Sequence, residues 1–321
     1  MVINYILFGV GIFLLIKGAD FIIESSSSLA KKLGISNIII GLTVVSFGTT
    51  LPELVVNLFA LSKGSSEIIF GNVIGSVISN VLLILGITTL ITNVKVRTRT
   101  VWKEIPFALL ACFVLFALTS KVFFDSSGYL RWNDGLILIA LLAMFIYYVY
   151  QSAVEERKRI PLVEEPDISG WKIGIKLIIG LAGIYFGGRW VVNGAVFMAQ
   201  QLGLSEFLIS ATIVAVGTSL PELVVAIVAA FRKNVDLAVG NIIGSNILNI
   251  LWVLGIASII KPIVIPQFIY IDIAIMFGTM FLLFLFMFIG KKRKHYVLNK
   301  KDGIAFVLFY VLYVVYLISR G

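Results

Sequence analysis

The chain has 321 residues, of which 60% are hydrophobic and 13% are charged, and its mean hydropathy is +1.05. A soluble globular domain of this composition would expose a very large apolar surface, so lipid has to be its solvent. The formal net charge of +9 does not indicate nucleic-acid binding, because the basic residues are divided between loops as in a membrane protein.

Ten apolar stretches are long enough to cross a bilayer, which takes about 20 residues each. They lie near residues 2–23, 36–61, 68–92, 105–122, 134–151, 170–193, 205–231, 237–260, 266–290 and 302–319. The polar segment 151–169 predicts a linker between two halves, residues 1–150 and 170–321. No positive charge precedes the first stretch and no convincing cleavage site ends it, so we expect it to be retained as an anchor.

The loops that follow odd-numbered stretches contain 18 Lys and Arg residues, and the loops on the other side contain five. Because basic residues concentrate on the cytoplasmic side of membrane proteins, this distribution predicts that both termini lie outside. It places the linker 151–169 in the cytoplasm.

One cysteine and one histidine are present, and neither indicates a metal site. Cys112 lies in an apolar stretch, and His295 lies in a run of basic residues. These positions exclude a disulfide framework, a thiolate site and a polyhistidine site. Any cation chemistry therefore has to use oxygen ligands.

The chain contains an internal duplication. Residues 48–56 match 217–225 at eight of nine positions, and residues 71–80 match 240–249 at seven of ten, both at an offset of 169. Each half has five stretches, so the second half enters the bilayer from the opposite side. The sequence therefore predicts an all-α membrane protein with ten transmembrane helices in two inverted five-helix repeats. Such an architecture favours a transporter over a channel or an enzyme.

The first repeated motif, Gly-Thr-(Thr/Ser)-Leu-Pro-Glu, ends at Glu53 and at Glu222, each within a predicted helix. A carboxylate at this depth costs at least a few kcal/mol. Pro52 and Pro221 lack an amide hydrogen and leave the carbonyl four residues earlier unpaired, which predicts discontinuous helices lined with free oxygens. A single copy would also fit a simple proline kink with a protonated glutamate. Two copies at symmetric positions favour one intramembrane cation site.

The second repeated motif places a polar side chain at every fourth position, so that these side chains form a stripe on each helix. The stripes are Asn72, Ser76 and Asn80 in the first half and Asn241, Ser245 and Asn249 in the second. We expect the last two members of each stripe to bind ions, whereas the first member is equally compatible with bonding helices together. The glycines of this motif, Gly71, Gly75, Gly240 and Gly244, predict close helix approach.

Carboxylate, hydroxyl, amide and carbonyl oxygens are ligands that suit hard cations such as Ca²⁺ and Na⁺. Two glutamates neutralise one Ca²⁺, and several Na⁺ ions could share the same carboxylates. Competition for shared ligands is the physical basis of obligatory exchange.

At these residues the chain resembles the cation/calcium exchanger superfamily, and its compact form is similar to the prokaryotic sodium/calcium exchangers. The resemblance implies that Ca²⁺ binds between Glu53 and Glu222, with backbone oxygens of Thr49 and Thr218. It implies two flanking Na⁺ sites. One uses the Ser46 carbonyl, Thr50 and Ser76, the other uses the Ala215 carbonyl, Ser219 and Ser245, and Asn80 and Asn249 are central polar ligands.

The implied function is Na⁺/Ca²⁺ antiport across a prokaryotic cell membrane by alternating access, with helices 1 and 6 sliding across the core. Some relatives have aspartate where this chain has Asn249, and this departure implies K⁺-independent exchange. A Ca²⁺/H⁺ antiporter and, less favoured, a Ca²⁺-permeable channel are the alternatives. We expect no enzyme activity, catalytic residue or cofactor, and we expect Ca²⁺, Na⁺ and membrane lipid as partners.

Overall fold

The structure is a computed structural model that describes residues 2–120, 128–159, 169–202, 217–266, 269–289 and 296–320. In these ranges the chain forms ten main helices, and nine of them are long and apolar enough to cross a membrane. The helices are α1 Val2–Leu33, α2 Asn37–Ser62, α3 Ser66–Ile91, α4 Thr100–Thr119, α5 Trp132–Arg159, α6 Gly170–Gln201, α7 Leu220–Phe231, α8 Val235–Ile260, α9 Ile269–Ile289 and α10 Lys300–Arg320. The chain is an integral membrane protein, as predicted.

Two helices differ in extent from the predicted stretches. Helix α5 continues to Arg159, so the first part of the predicted linker 151–169 is helical. Residues 151–159 contain neither glycine nor proline and are rich in strong helix formers. Helix α7 covers only the second part of the predicted stretch 205–231, because residues 203–216 lie outside the described ranges.

Four helices contain a short π-helical segment, a feature that is frequent at functional sites. These segments are Gly41–Val45 in α2, Asn80–Leu85 in α3, Thr100–Glu104 in α4 and Asn249–Val253 in α8. Two of them begin at Asn80 and Asn249, which are equivalent in the two halves. The second repeated motif therefore ends where the hydrogen bonding of the helix changes from the α-helical to the π-helical pattern.

The prediction of a discontinuous helix is not met at the first motif, because α2 continues as a helix through Pro52. A proline inside a helix removes one backbone hydrogen bond, which kinks a helix without having to end it. At the second motif Thr218 and Ser219 form a turn, and α7 begins at Leu220. Pro221 lies in its first turn, where a missing amide hydrogen is tolerated.

Helices α1 and α6 pack against each other along their length. A Cβ atom added at Gly18 would lie 2.7 Å from the carbonyl oxygen of Gly180, and one at Gly11 would lie 2.9 Å from that of Gly187. Glycine is needed at these crossings because the two backbones are in contact. Small residues are the usual means of close helix packing in lipid.

The other helices form a core around α8, whose span is 83% buried, whereas the span of α10 at the periphery is 17% buried. Two short antiparallel strand pairs link the ends of these helices: β1 Val94–Val96 with β4 Tyr296–Leu298, and β2 Tyr129–Leu130 with β3 Ile263–Val264. The first pair lies between the end of α3 and the start of α10, and the second lies between the end of α8 and the start of α5. The sequence analysis did not predict them, because two or three residues are too few for an alternating pattern.

Candidate cation site

The structure brings the two predicted carboxylates together in the centre of the core. Glu53 on α2 and Glu222 on α7 are both fully buried, and they are close enough to interact electrostatically. Both carboxylate oxygens of Glu53 and Oε2 of Glu222 have no hydrogen-bond partner among the described residues. Because buried charges are normally paired or coordinate a metal ion, this arrangement is compatible with the cation site that the sequence predicts.

Hydroxyl groups connect the motifs of the two halves beside these carboxylates. Ser245 Oγ donates to Glu222 Oε1 at 3.3 Å, and Thr50 Oγ1 donates to Ser245 Oγ at 3.2 Å. Ser219 Oγ donates to Ser76 Oγ, also at 3.2 Å. The resemblance grouped Thr50 with Ser76 and Ser219 with Ser245, whereas the hydrogen bonds pair them the other way. Each motif helix contacts the polar stripe of the opposite half.

The remaining predicted ligands are placed as follows. Thr49 Oγ1 donates to Asn241 Oδ1 at 3.0 Å, so Asn241 bonds two helices together. The carbonyl oxygen of Ser46 lies 3.3 Å from Thr49 Oγ1. Thr218 lines two cavities, and Ala215 lies outside the described residues.

Asparagine side chains complete the centre of the site. Asn80 Nδ2 donates to Asn246 Oδ1 at 2.9 Å, and Asn246 Nδ2 contacts Met280 Sδ at 3.5 Å. Asn80 Oδ1 and both polar atoms of the Asn249 side chain are buried without a hydrogen-bond partner in the described part of the chain. Sequence reasoning missed Asn246, because its equivalent in the first half is Val77 and a repeat comparison selects matching positions.

Asn57, one turn after Glu53, is a second polar residue that sequence reasoning missed. It is fully buried, and its Nδ2 donates to the Glu53 carbonyl oxygen at 2.7 Å. Its equivalent in the second half is Ala226. A polar residue spaced four positions from the glutamate was the signal that could have found it.

Within the described ranges, no three His, Cys, Asp or Glu side chains cluster in a way that could hold a metal ion. The centre therefore has two carboxylates, and the amide oxygens without a hydrogen-bond partner in the described part of the chain are those of Asn57, Asn80 and Asn249. This all-oxygen set fits hard cations and does not fit soft metals.

Two cavities border motif residues next to the buried glutamates. A cavity of about 560 Å³ between α2, α6 and α7 is lined by Pro52, Arg189 and Pro221. A second cavity, of about 310 Å³, extends from Ser76 to the ion pair of Asp272 with Arg320, whose Oδ1 and Nη1 atoms lie 2.6 Å apart. Thr218 lines both cavities.

Equivalent side chains of α2 and α7 have different surroundings. The side chains of Val56 and Phe59 on α2 are 38% and 62% exposed, whereas Val225, the equivalent of Val56, is fully buried on α7. Helix α7 also packs against α1. The first part of the predicted seventh stretch, residues 203–216, lies outside the described residues.

The family profile described as Sodium/calcium exchanger protein matches residues 3–151 and 173–319. The chain belongs to the sodium/calcium exchanger family. This confirms the resemblance to the prokaryotic cation/calcium exchangers.

Individual relatives of this exchanger-family chain agree with the assignment. It is 30% identical to the sodium/calcium exchanger MaX1 of Methanosarcina acetivorans, with 98% of each chain covered. It is 28% identical to the Ca²⁺/H⁺ antiporter ChaA of Bacillus subtilis, over 70% of this chain and 69% of that one. A solved structure of the sodium-calcium exchanger NCX_Mj, soaked with Na⁺ and Sr²⁺, superposes with a TM-score of 0.80 at 32% identity and covers 98% of both chains.

The glycines of the second motif allow close helix approach in the second half of this exchanger-family member. A Cβ atom added at Gly240 or Gly244 would lie 2.5 Å from the Ile38 carbonyl oxygen or 2.6 Å from Ser46 Oγ. A Cβ atom at Gly71 or Gly75 would meet none of the described residues within 4 Å. The segment equivalent to the one that Gly240 and Gly244 contact, residues 207–215, lies outside the described residues, so close approach in the first half stays a prediction.

We expect Gly244→Ala to lower the stability of the protein by about 1–3 kcal/mol, because the added methyl group overpacks a filled contact with Ser46 and the α2 backbone. The matched variant Gly278→Ala adds the same methyl group at an exposed position of α9, where none of the described residues lies within 4 Å, and should leave stability unchanged or raise it by up to about 1 kcal/mol through the higher helix propensity of alanine. The melting temperatures of the two purified variants in detergent test this difference. Equal melting temperatures would contradict the packing assigned to Gly244.

Proposed function

We propose that this chain is a secondary active antiporter that exchanges Ca²⁺ for Na⁺ across the membrane by alternating access. The observation that carries the proposal is the pair of buried carboxylates, Glu53 and Glu222, whose oxygens are largely without hydrogen-bond donors in the described part of the chain. Membership of the exchanger family and the similarity to MaX1 and NCX_Mj support Na⁺ as the counter-ion.

In this proposal Ca²⁺ binds between Glu53 and Glu222, with the backbone oxygens of Thr49 and Thr218 as further ligands. Two carboxylates neutralise the divalent ion, so the occupied site carries no net charge. Neutrality matters because an uncompensated charge is very costly in a medium of low dielectric constant.

Na⁺ binds beside the Ca²⁺ position in two further sites. The hydrogen bonds across the halves favour one site built from the Ser46 carbonyl, Thr50 and Ser245. The other consists of the Ala215 carbonyl, Ser219 and Ser76. Asn80 and Asn249 offer amide oxygens to whichever ion occupies the centre. Because Na⁺ and Ca²⁺ need the same carboxylates, occupancy by one excludes the other.

The two halves act as inverted repeats, and contacts between them support this assignment. An offset of 169 relates Gly11 to Gly180 and Gly18 to Gly187. The contact of Gly11 with Gly187 is therefore equivalent to the contact of Gly180 with Gly18. It relates the Thr50–Ser245 hydrogen bond to the Ser219–Ser76 hydrogen bond in the same way. A pseudo-two-fold axis in the membrane plane exchanges equivalent parts in this manner.

Alternating access follows from sliding of the α1–α6 pair across the core. Val56 on α2 lines both cavities, whereas its equivalent on α7, Val225, is fully buried. Exchanging these two environments would move access to the site from one side of the membrane to the other. The distribution of Lys and Arg between the loops supports both termini outside and the linker 151–169 in the cytoplasm.

A Ca²⁺/H⁺ antiporter is the second candidate function, and the similarity to ChaA favours it. Proton coupling requires only that the two carboxylates take up protons, whereas Na⁺ also needs neutral oxygen ligands. The hydroxyl groups of the Thr50–Ser245 and Ser219–Ser76 pairs can supply such ligands, so they favour Na⁺ as the counter-ion. A Ca²⁺-permeable channel is disfavoured because inverted repeats suit alternating access to one central site better than a continuous pore.

Ca²⁺ uptake into liposomes containing the purified protein tests the proposal, with Na⁺, K⁺ and H⁺ gradients imposed separately. We expect an outward Na⁺ gradient to drive ⁴⁵Ca²⁺ uptake, and a K⁺ gradient to have no effect. Uptake driven by a pH gradient in the absence of Na⁺ would establish the Ca²⁺/H⁺ alternative. Ca²⁺ flux without movement of a counter-ion would establish a channel.

A further inference from the structure

An ion pair joins α1 to the end of α7. Asp20 on α1 has its Oδ1 atom 2.6 Å from Nη2 of Arg232, the residue that follows α7. The Asp20 side chain is 21% exposed, and its other cationic neighbour, Lys17, is 4.0 Å away on the same helix. The pair with Arg232 therefore connects α1 to the helices of the core.

The equivalent positions in the other half carry a different combination of charges. An offset of 169 relates Asp20 to Arg189 on α6, and Arg232 to Lys63, the residue that follows α2. Neither Arg189 nor Lys63 forms an ion pair with the part of the chain that the structure describes. Arg189 lines the 560 Å³ cavity together with Phe59, and Lys63 Nζ lies 4.6 Å from the centre of the Phe59 ring. One half therefore has opposite charges in contact, and the other has two like charges apart.

Alternating access changes which of these two pairs is in contact. When the inverted halves exchange conformations, α6 takes the position relative to α2 that α1 now has relative to α7. We call the result the counterpart conformation. In it Asp20 has left Arg232, and Arg189 has approached Lys63. An attraction between opposite charges is lost and a repulsion between like charges is gained.

We propose that the two charge pairs, Asp20 with Arg232 and Arg189 with Lys63, bias the protein towards the observed conformation when no ion is bound. This proposal rests on the proposed function, because it needs two conformations that the inverted repeats relate. The residue at position 189 sets the bias. A carboxylate there would attract Lys63 as Asp20 attracts Arg232, and the two conformations would then be electrostatically alike.

Two engineered disulfides, each in a Cys112→Ala background, report the two conformations without requiring transport. Ser27→Cys/Asn234→Cys reports the observed conformation, in which Asn234 Nδ2 donates to Ser27 Oγ at 2.9 Å. Val196→Cys/Ser65→Cys occupies the equivalent positions and reports the counterpart conformation. The full-length proteins are placed in liposomes without Na⁺ or Ca²⁺ and oxidised slowly with copper phenanthroline. The ratio of the two initial rates of disulfide formation follows the ratio of the two populations.

Arg189→Glu and Lys63→Glu, each added to both reporters, should each lower this ratio in favour of the counterpart by at least about fivefold. Each change replaces a repulsion by an attraction, and a single partly exposed ion pair is worth up to about a factor of five. The combination Arg189→Glu/Lys63→Glu restores two like charges, so it should return the ratio to within about twofold of the wild type. Structural effects of the two substitutions would add instead of cancelling.

Lys172→Glu is the matched control, because it makes the same change of charge at an exposed position of α6 whose equivalent, Ile3, is uncharged. It should leave the ratio unchanged. Single variants that leave the ratio unchanged, or a combined variant with a lower ratio than either single variant, would overturn the proposal. Failure of the proposed function would look different: the wild type would show no Na⁺-driven ⁴⁵Ca²⁺ uptake, and the counterpart disulfide would form in none of the proteins.

Discussion

Glu53→Gln and Glu222→Gln should each reduce Na⁺-driven Ca²⁺ uptake by at least about a hundredfold. Either change leaves one carboxylate for a divalent ion, and an uncompensated charge in the buried core costs about 3–5 kcal/mol. Each 1.4 kcal/mol is a factor of ten in affinity, so this loss suffices to empty the site at ordinary Ca²⁺ concentrations. Initial rates of ⁴⁵Ca²⁺ uptake into proteoliposomes with an outward Na⁺ gradient measure the effect.

Glutamine is the appropriate replacement because it keeps the volume of glutamate and removes only its charge, so both variants should fold and insert. The control variant is Glu67→Gln, which removes a carboxylate that is exposed and should exchange like the wild type. Normal uptake by either the Glu53 or the Glu222 variant would show that Ca²⁺ does not bind between these residues.

The central carboxylates were predictable from the sequence for a physical reason. A glutamate within an apolar stretch is too costly to lie there without a function, and a second copy 169 residues later identifies its counterpart. Composition alone indicated the membrane-spanning helices, because lipid requires long apolar segments with internally satisfied backbones. Both inferences rest on requirements that a single segment has to meet by itself, so they can be made from the local sequence.

Features that depend on which helices cross were not predictable in the same way. Four-residue spacing placed Ser76 and Ser245 on helical stripes, but it could not show that Ser76 pairs with Ser219 and Ser245 with Thr50. Which helices cross, and at which residues, depends on tertiary packing that the spacing within one segment does not encode.

Fixing α1 to the core should stop exchange if α1 has to slide. Ser27 on α1 and Asn234, between α7 and α8, are joined by a hydrogen bond of 2.9 Å from Asn234 Nδ2 to Ser27 Oγ. This contact makes the pair a test position for a disulfide, which forms where the Cβ atoms come within about 3.5–4.5 Å of each other. In a Cys112→Ala background, we expect oxidised Ser27→Cys/Asn234→Cys protein to lose at least about nine-tenths of its Na⁺-driven Ca²⁺ uptake, because the bond blocks alternation between the two access states.

Reduction with dithiothreitol should restore uptake, which separates a mechanical block from damage caused by the substitutions. Each single-cysteine protein supplies the matched control and should be insensitive to the same oxidant. The cross-linked protein should still bind ⁴⁵Ca²⁺ at equilibrium, since the disulfide leaves both glutamates and the hydroxyl groups beside them unchanged. If the oxidised double variant transports at the rate of its reduced form, α1 does not move relative to the α7–α8 connection, and access to the two buried glutamates has to alternate by another motion.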